Sequence, residues 1–181
     1  MPEHPVLQEI AAFFDHDRFY TPGTRGIAWA SYFALCSFLD AQIGRVLDAL
    51  EATGLADDTL VIFASDHGEM LGEKGFWARS TMYDSAARVP LILAGPGVAP
   101  GVEDTPVSLV DEAPSITGAL GVAATFPGCD LRGPLDPGRA VLSEYHEGGA
   151  SVGITMLRWT SPDGPGSSST TPRGVRRSSS T

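Results

Sequence analysis

Residues Thr59 to Pro96 read TLVIFASDHGEMLGEKGFWARSTMYDSAARVPLILAGP, and the fold follows from how this stretch begins and ends. Leu60, Val61, Ile62, Phe63 and Ala64 make an unbroken apolar run rich in branched residues. That pattern suits a short strand covered on both faces, as in the parallel sheet of an α/β fold. Polarity then changes within one residue. Ser65, Asp66, His67 and Gly68 set a carboxylate and an imidazole just past the strand's carboxyl end, where open α/β sheets present ligands. A second apolar strand, Pro90 to Ala94, closes the stretch, and the polar loop between the two carries Lys74, Arg79 and Arg88. Acid, imidazole and cations in one loop read as a site for an anion and a metal.

Upstream, Tyr32, Cys36, Leu39, Ile43, Leu47 and Leu50 recur at steps of three and four, which predicts an amphipathic helix from about Ile27 to Thr53. Gly54 stands where a helix C-cap belongs, and Asp57-Asp58 supplies the turn into the strand. Helix, glycine, turn and strand in that order are half of an α/β crossover. Before them, a short helix around Val6 to Phe14 is followed by a loop at Thr21-Pro22-Gly23. Downstream, Pro106 to Val110 reads as a short strand, and Asp111 as the N-cap of a helix ending near Leu120. Ala140 to Ser143 and Val152 to Leu157 read as further strands, with the polar cluster Glu144-Tyr145-His146-Glu147 between them.

With 181 residues, 43% of them hydrophobic, the chain can bury one sizeable core. The formal charge of −10 excludes a non-specific nucleic-acid or anionic-lipid binder, which needs clustered Lys and Arg. No apolar stretch reaches the ~20 residues that span a bilayer, so no membrane partner is expected. Nothing after Met1 resembles a secretory signal, which points to the cytoplasm. Cys36 and Cys129 lack metal-ligand or redox spacing and read as two buried thiols. His4 and His16 read as surface residues.

A hard divalent cation wants oxygen ligands, and Asp66 offers one; His67 adds either an imidazole ligand or a donor that orients one. A nitrogen ligand moves the preference from calcium toward manganese or zinc. Arg79 lies in a loop able to fold back over the strand end, where a guanidinium can hold a tetrahedral oxyanion or neutralise a leaving oxygen. Cation and Arg together suggest transfer of a sulfuryl or phosphoryl group. The same Asp-His-Gly can equally be no more than a strand cap, since an acid beside a histidine is a short signal.

Longer motifs narrow this. Ser65-Asp66-His67-Gly68, Gly72-Glu73-Lys74-Gly75-Phe76-Trp77, Ser80-Thr81-Met82-Tyr83 and Arg88-Val89-Pro90-Leu91-Ile92 resemble the metal-binding segment of the type I sulfatases, of the alkaline phosphatase-like superfamily. Asp40, Ile43-Gly44, Leu47-Asp48 and Leu50 are similar to the preceding helix of that family, as is Val107-Ser108-Leu109-Val110-Asp111 with Pro114. Glu144-Tyr145-His146 resembles the choline sulfatase branch. The resemblance spans roughly residues 5–159. It implies a partial alkaline phosphatase-like α/β fold, a mostly parallel sheet flanked by helices. It implies a metal-dependent sulfuric ester hydrolase acting on a small-molecule sulfate ester. Asp66 and His67 would ligate the divalent cation, calcium or in some relatives manganese. Arg79 would stand where the family usually has a catalytic Lys, and His146 could touch substrate. Arg keeps the charge of Lys but is a poorer proton donor. Lys74 then reads as a solvated loop residue and Arg88 as half of a structural ion pair. A phosphodiesterase or phosphonate monoester hydrolase of the same superfamily is the neighbouring alternative.

The family's nucleophile is a formylglycine made from the first residue of Cys-x-Pro-x-Arg or Ser-x-Pro-x-Arg. Cys36 is followed by Ser37-Phe38-Leu39-Asp40 and Cys129 by Asp130-Leu131-Arg132-Gly133, so formylglycine is not encoded here. The family's further acidic ligands, nearer its amino terminus, have no counterpart either. Residues 1–159 are therefore expected to be a catalytic domain without its amino-terminal half, inactive alone. Residues 160–181, rich in Ser, Thr, Pro, Gly and Arg, are expected to form a disordered tail of the composition an out-of-frame reading gives, which adds a non-catalytic truncated or frameshifted product to the readings.

Overall fold

The computed structural model describes residues 4–146, 153–160 and 173–175. Its first helix, α1 (Pro5–Phe14), starts with a proline, whose missing N–H costs nothing in the first turn, and with His4, whose Nδ1 accepts the Val6 N–H at 3.3 Å. It ends at Asp15, left-handed at φ 44, which donates its N–H to the Ala11 carbonyl. Val6, Leu7 and Ile10 form its buried face.

Helix α2 (Arg25–Ala52) runs for 28 residues, as the three-four spacing predicts. Gly54, at φ +69, donates to the Glu51 carbonyl at 2.9 Å, and Leu55 donates to Leu50 at 3.3 Å. These two bonds are the paired Schellman closure that only a left-handed residue permits, so glycine serves there. The apolar face of α2 does not enter the core, however. None of its residues is buried, and Ile27, Phe33, Leu35, Phe38 and Val46 are 61% to 68% exposed.

Strands β1 (Val61–Ala64) and β2 (Leu91–Ala94) fall where the apolar runs predict. Their pairing corrects the expectation of a mostly parallel sheet: they are antiparallel, with Val61 opposite Ala94 and Ala64 opposite Leu91. A parallel pair needs a crossover that carries the chain back to the starting end. The segment 65–90 instead holds one 3-10 turn (Glu73–Gly75) and the single-turn helix α3 (Asp84–Ala87), and it returns at the end it left. The expected strand at Pro106–Val110 is also replaced, by a 3-10 turn at Leu109–Asp111 followed by α4 (Glu112–Ala119). Ser108 and Asp111 exchange side-chain bonds with each other's backbone, and this capping box bends the chain.

The second sheet is antiparallel too. Strand β3 (Ala140–Tyr145) pairs with β4 (Gly153–Trp159), and β4 with the short β5 (Arg173–Val175). Apart from Thr160 and β5, the tail read at 160–181 lies outside the described residues, as does Glu147. Among the described residues no helix is long and apolar enough to cross a membrane.

The core lies under the loop between β1 and β2. Val6, Leu7 and Ile10 of α1 meet Met70 and Phe76 of the loop, Ala86 of α3 and Ile154 of β4. Helix α1 and the second sheet thus clamp the loop that carries the acid, the imidazole and the arginines.

Candidate functional site

The loop is fixed by its own backbone before any ligand is considered. Gly68 donates to the Ala86 carbonyl at 2.8 Å, and a Cβ on Gly68 would overlap the Ser85 carbonyl oxygen, so a side chain is excluded by this approach. Glu69 folds inward, its Oε1 accepting from the Leu71 N–H at 3.2 Å and the Ala78 N–H at 2.6 Å. Met70 donates to Ala78 at 2.9 Å and Gly72 to Phe76 at 2.7 Å, which closes the hairpin-like return. Leu71, Lys74 and Ala78 take left-handed conformations at φ 49, 54 and 59, costs that the buried Met70, Phe76 and Trp77 offset. Trp77 stacks on Tyr20 at 3.9 Å and donates its backbone N–H to Nδ1 of His16 at 3.3 Å, while Trp29 donates to the Leu71 carbonyl at 2.8 Å. His16, expected to be a plain surface residue, is therefore part of the loop's support, and Arg79 follows Trp77 by two residues.

A cavity of about 660 Å³ opens at the carboxyl end of β1, lined by Asp66, His67, Arg79 and Arg88 from this segment, Ser108 from the capped turn and Arg158 from β4. Three residues named from sequence, Asp66, His67 and Arg79, thus share one cavity. The His67 N–H donates to Asp66 Oδ1 at 2.9 Å, and its ring Nδ1 lies 2.8 Å from the Gly68 carbonyl. A carbonyl can only accept, so Nδ1 carries the proton. In the neutral ring Nε2 then presents a lone pair, and Nε2 stands 3.5 Å from Asp66 Oδ2. Two lone pairs so placed repel each other unless a cation or a proton lies between them. Bonds of about 2.3–2.6 Å meeting at right angles put adjacent ligand atoms roughly 3.3–3.7 Å apart, the separation seen here. Fixing one ring nitrogen on a backbone carbonyl is also how metal-binding histidines are oriented. Among the described residues, however, no group of three or more His, Cys, Asp or Glu is placed to hold a metal ion, and Asp66 and His67 stand as a pair.

His146 is not gathered into the cavity. It follows β3, with Nε2 3.9 Å from Glu144 Oε1. Lys74 lies over the Tyr83 ring, 5.1 Å from its centre. Arg88, read as half of an ion pair, makes none among the described residues; the pair is made by Arg158 with Asp84 instead.

The most elaborated polar group was missed. Asp111 is fully buried, and Oδ2 accepts from the Ser108 N–H at 2.8 Å and from Arg139 at 2.9 Å. Its Oδ1 accepts from the Cys129 N–H at 2.9 Å and from Arg139 at 3.1 Å. Burial pushes the carboxyl up, but the Ser108 N–H, the Arg139 guanidinium and the Cys129 N–H together hold it below the usual carboxylate range. Cys129 is half-buried, with Sγ 2.7 Å from Arg139; burial and the Asp111 charge raise its pKa, against Arg139, which lowers it. This hub holds Ser108, which lines the cavity. The sequence shows Asp111 only as a helix N-cap, because its partner lies 28 positions on.

Comparison with known proteins gives the family. The family profile described as Sulfatase matches residues 9–122. A choline-sulfatase of Rhizobium meliloti (strain 1021) is 46% identical over 93 residues, 51% of this chain and 18% of that protein. Arylsulfatase K of Danio rerio is 37% identical over 142 residues, 71% of this chain and 27% of its own. A phosphonate monoester hydrolase from Silicibacter pomeroyi superposes with a TM-score of 0.67 at 29% identity, covering 86% of this chain and 39% of that one. The chain therefore spans about a quarter or less of the length of these curated relatives. Its fold is a part of the alkaline phosphatase-like α/β fold, and the chain belongs to the sulfatase family.

Proposed function

We propose that this chain contributes the cation edge and the anion-holding wall of a sulfuric ester hydrolase site. Asp66 and His67 would be two ligands of a divalent cation, calcium first and manganese second. The observation that carries this reading is the Asp66–His67 pair, with the His67 lone pair turned to the carboxylate, in one cavity with Arg79. A divalent cation bound there would polarise an ester oxygen as a Lewis acid.

The chain's own residues orient the imidazole and line the wall that would face the anion. Gly68 orients the imidazole through its carbonyl, which turns Nε2 toward Asp66. Arg79, exposed at the cavity wall, would hold the tetrahedral anion and neutralise charge on a leaving oxygen. It cannot act as the acid, because a guanidinium does not give up its proton in a protein. His146, outside the cavity, has no part in this reading. Neither cysteine lies in the family's nucleophile motif, so no covalent step is available to this chain and no appreciable turnover is expected from it alone. The likeness to a phosphonate monoester hydrolase supports a second reading, in which the anion is a phosphonate or phosphodiester.

Calorimetric titration of the chain with calcium and with manganese, in the presence of inorganic sulfate, tests the cation edge. Asp66→Asn and His67→Gln should each weaken uptake by roughly tenfold or more, since loss even of a group behind a ligand costs 10–100-fold. Uptake unchanged in both variants would overturn the assignment. Inorganic sulfate competing better than methylphosphonate favours the sulfate reading, and the reverse order favours the second.

A further inference from the structure

Two guanidiniums share the cavity without a carboxylate partner. Arg79 and Arg88 both line it, both are exposed, and among the described residues neither side chain makes an ion pair or hydrogen bond. Arg88 begins the segment into β2 and donates its backbone N–H to Asp84. The Asp84 carboxylate on that same turn is taken by Arg158, whose side chain is 17% exposed. The structural ion pair at this end of the cavity is thus already made, by a different arginine. The acids on the wall are engaged elsewhere or stand free: Asp66 faces His67, and Glu103 accepts the Thr105 N–H at 2.7 Å. Asp104 also lines the cavity and pairs with no cation among the described residues.

One tetrahedral anion held by Arg79 beside the Asp66–His67 edge leaves Arg88 without a direct partner. Two like charges on one wall repel, and an exposed guanidinium with five donors is a ready partner for a planar carboxylate or a second sulfate. We propose that Arg88 is a specificity-determining residue that binds a second anionic group on the same substrate molecule, so the cavity favours sulfate esters of acidic molecules over esters of neutral ones. This rests on the hydrolase reading above and narrows its substrate class. The second anion needs no chemistry; it orients the ester, and its contribution weakens as salt screens the exposed pair.

Equilibrium binding of phenyl sulfate and 4-carboxyphenyl sulfate to the whole chain, at low ionic strength and with calcium present, separates the two arginines. The carboxylated ester should bind about tenfold more tightly, the fold-change of a charge-assisted hydrogen bond. Arg88→Gln should reduce that preference to less than about twofold while leaving phenyl sulfate affinity unchanged, and Arg88→Lys should keep part of it. Arg79→Gln should weaken both esters alike. A preference that survives in Arg88→Gln, or one absent from the parent chain that nevertheless binds phenyl sulfate, overturns this inference alone. If the parent chain binds neither ester, the hydrolase reading falls and takes this inference with it.

Discussion

Replacing Asp111 by Asn exposes how strongly the wall of the cavity depends on one buried charge. The amide keeps the shape of the carboxylate but turns one oxygen into an NH2. Both oxygens already face N–H donors: Ser108 and Arg139 on one, Cys129 and Arg139 on the other. Either orientation therefore opposes donor to donor and leaves Arg139, 17% exposed, without its counter-charge. Breaking a buried pair from one side costs about 3–5 kcal/mol. With a urea slope of about 2 kcal/mol per molar, the unfolding midpoint should fall by roughly 1.5–2.5 M. Arg139→Met should cost about 3 kcal/mol or more by the same argument, and the double variant Asp111→Asn with Arg139→Met clearly less than the sum, because neither charge is then stranded. The pH dependence has a definite sign. The folded carboxyl lies below the ordinary value of 3.8, so its contribution is complete above that value and is lost as pH falls through the folded value. The parent chain should lose this increment in the acid range and Asp111→Asn should not. Chemical denaturation followed by circular dichroism between pH 3 and 7, for the four proteins, measures all of this. Single-variant losses that add in the double variant to within about 0.5 kcal/mol would refute the coupling.

Three further outcomes are expected. Gly68→Ala should displace the Ser85–Ala86 backbone that its Cβ would overlap, disturbing the amide resonances of 66–68 and 84–88 together; shifts confined to residue 68 would refute the close approach. Ile10→Ala removes a fully buried side chain from the cluster that α1 shares with Met70 and Phe76, and should cost about 2–5 kcal/mol, read by thermal unfolding. The exposed apolar face of α2 should bind the dye ANS under native conditions, and Leu35→Glu with Phe38→Glu should reduce the fluorescence several-fold; an unchanged signal would place the apolar surface elsewhere.

Features written in contiguous residues were legible in the sequence. The α2 period, the Gly54 closure, the β1 run and the polar break at Ser65-Asp66-His67-Gly68 all rest on neighbours a few positions apart, and the structure follows them. Pairings between distant segments were not legible. An apolar strand covered on both faces looks the same whether its neighbour runs parallel or antiparallel, and only the path of 65–90 decides that β2 is antiparallel to β1. Nor does the sequence say which arginine takes Asp84. Arg88 is four residues away on the same turn, yet Arg158, 74 positions on, makes the contact because β4 brings it across. Asp111 follows the same rule: its cap was visible, its partner was not. That His146 stands away from this cavity was not legible for another reason, since a polar residue at a strand's end carries no sign of which way that end faces.

The position of the core explains how the loop that carries Asp66 and His67 can be held while α2 stays uncovered. Met70, Phe76 and Ala86 are held by α1 and by Ile154, and the hydrogen bonds of Gly68 and Glu69 close the loop on itself. None of these contacts comes from α2 beyond its first turns, where Trp29 reaches Leu71 and the ring of Trp77. The segment that carries Asp66, His67 and Arg79 is thus stabilised by elements other than the helix whose apolar face is open. Local opening of α2 beyond Trp29 would cost that segment few of its own contacts, since stability is distributed by contact and not by position along the chain. The site's geometry is set by the return of 68–86 onto α1 and β4. Among the described residues that line the cavity, Arg79 and Arg88 are left without an ion pair.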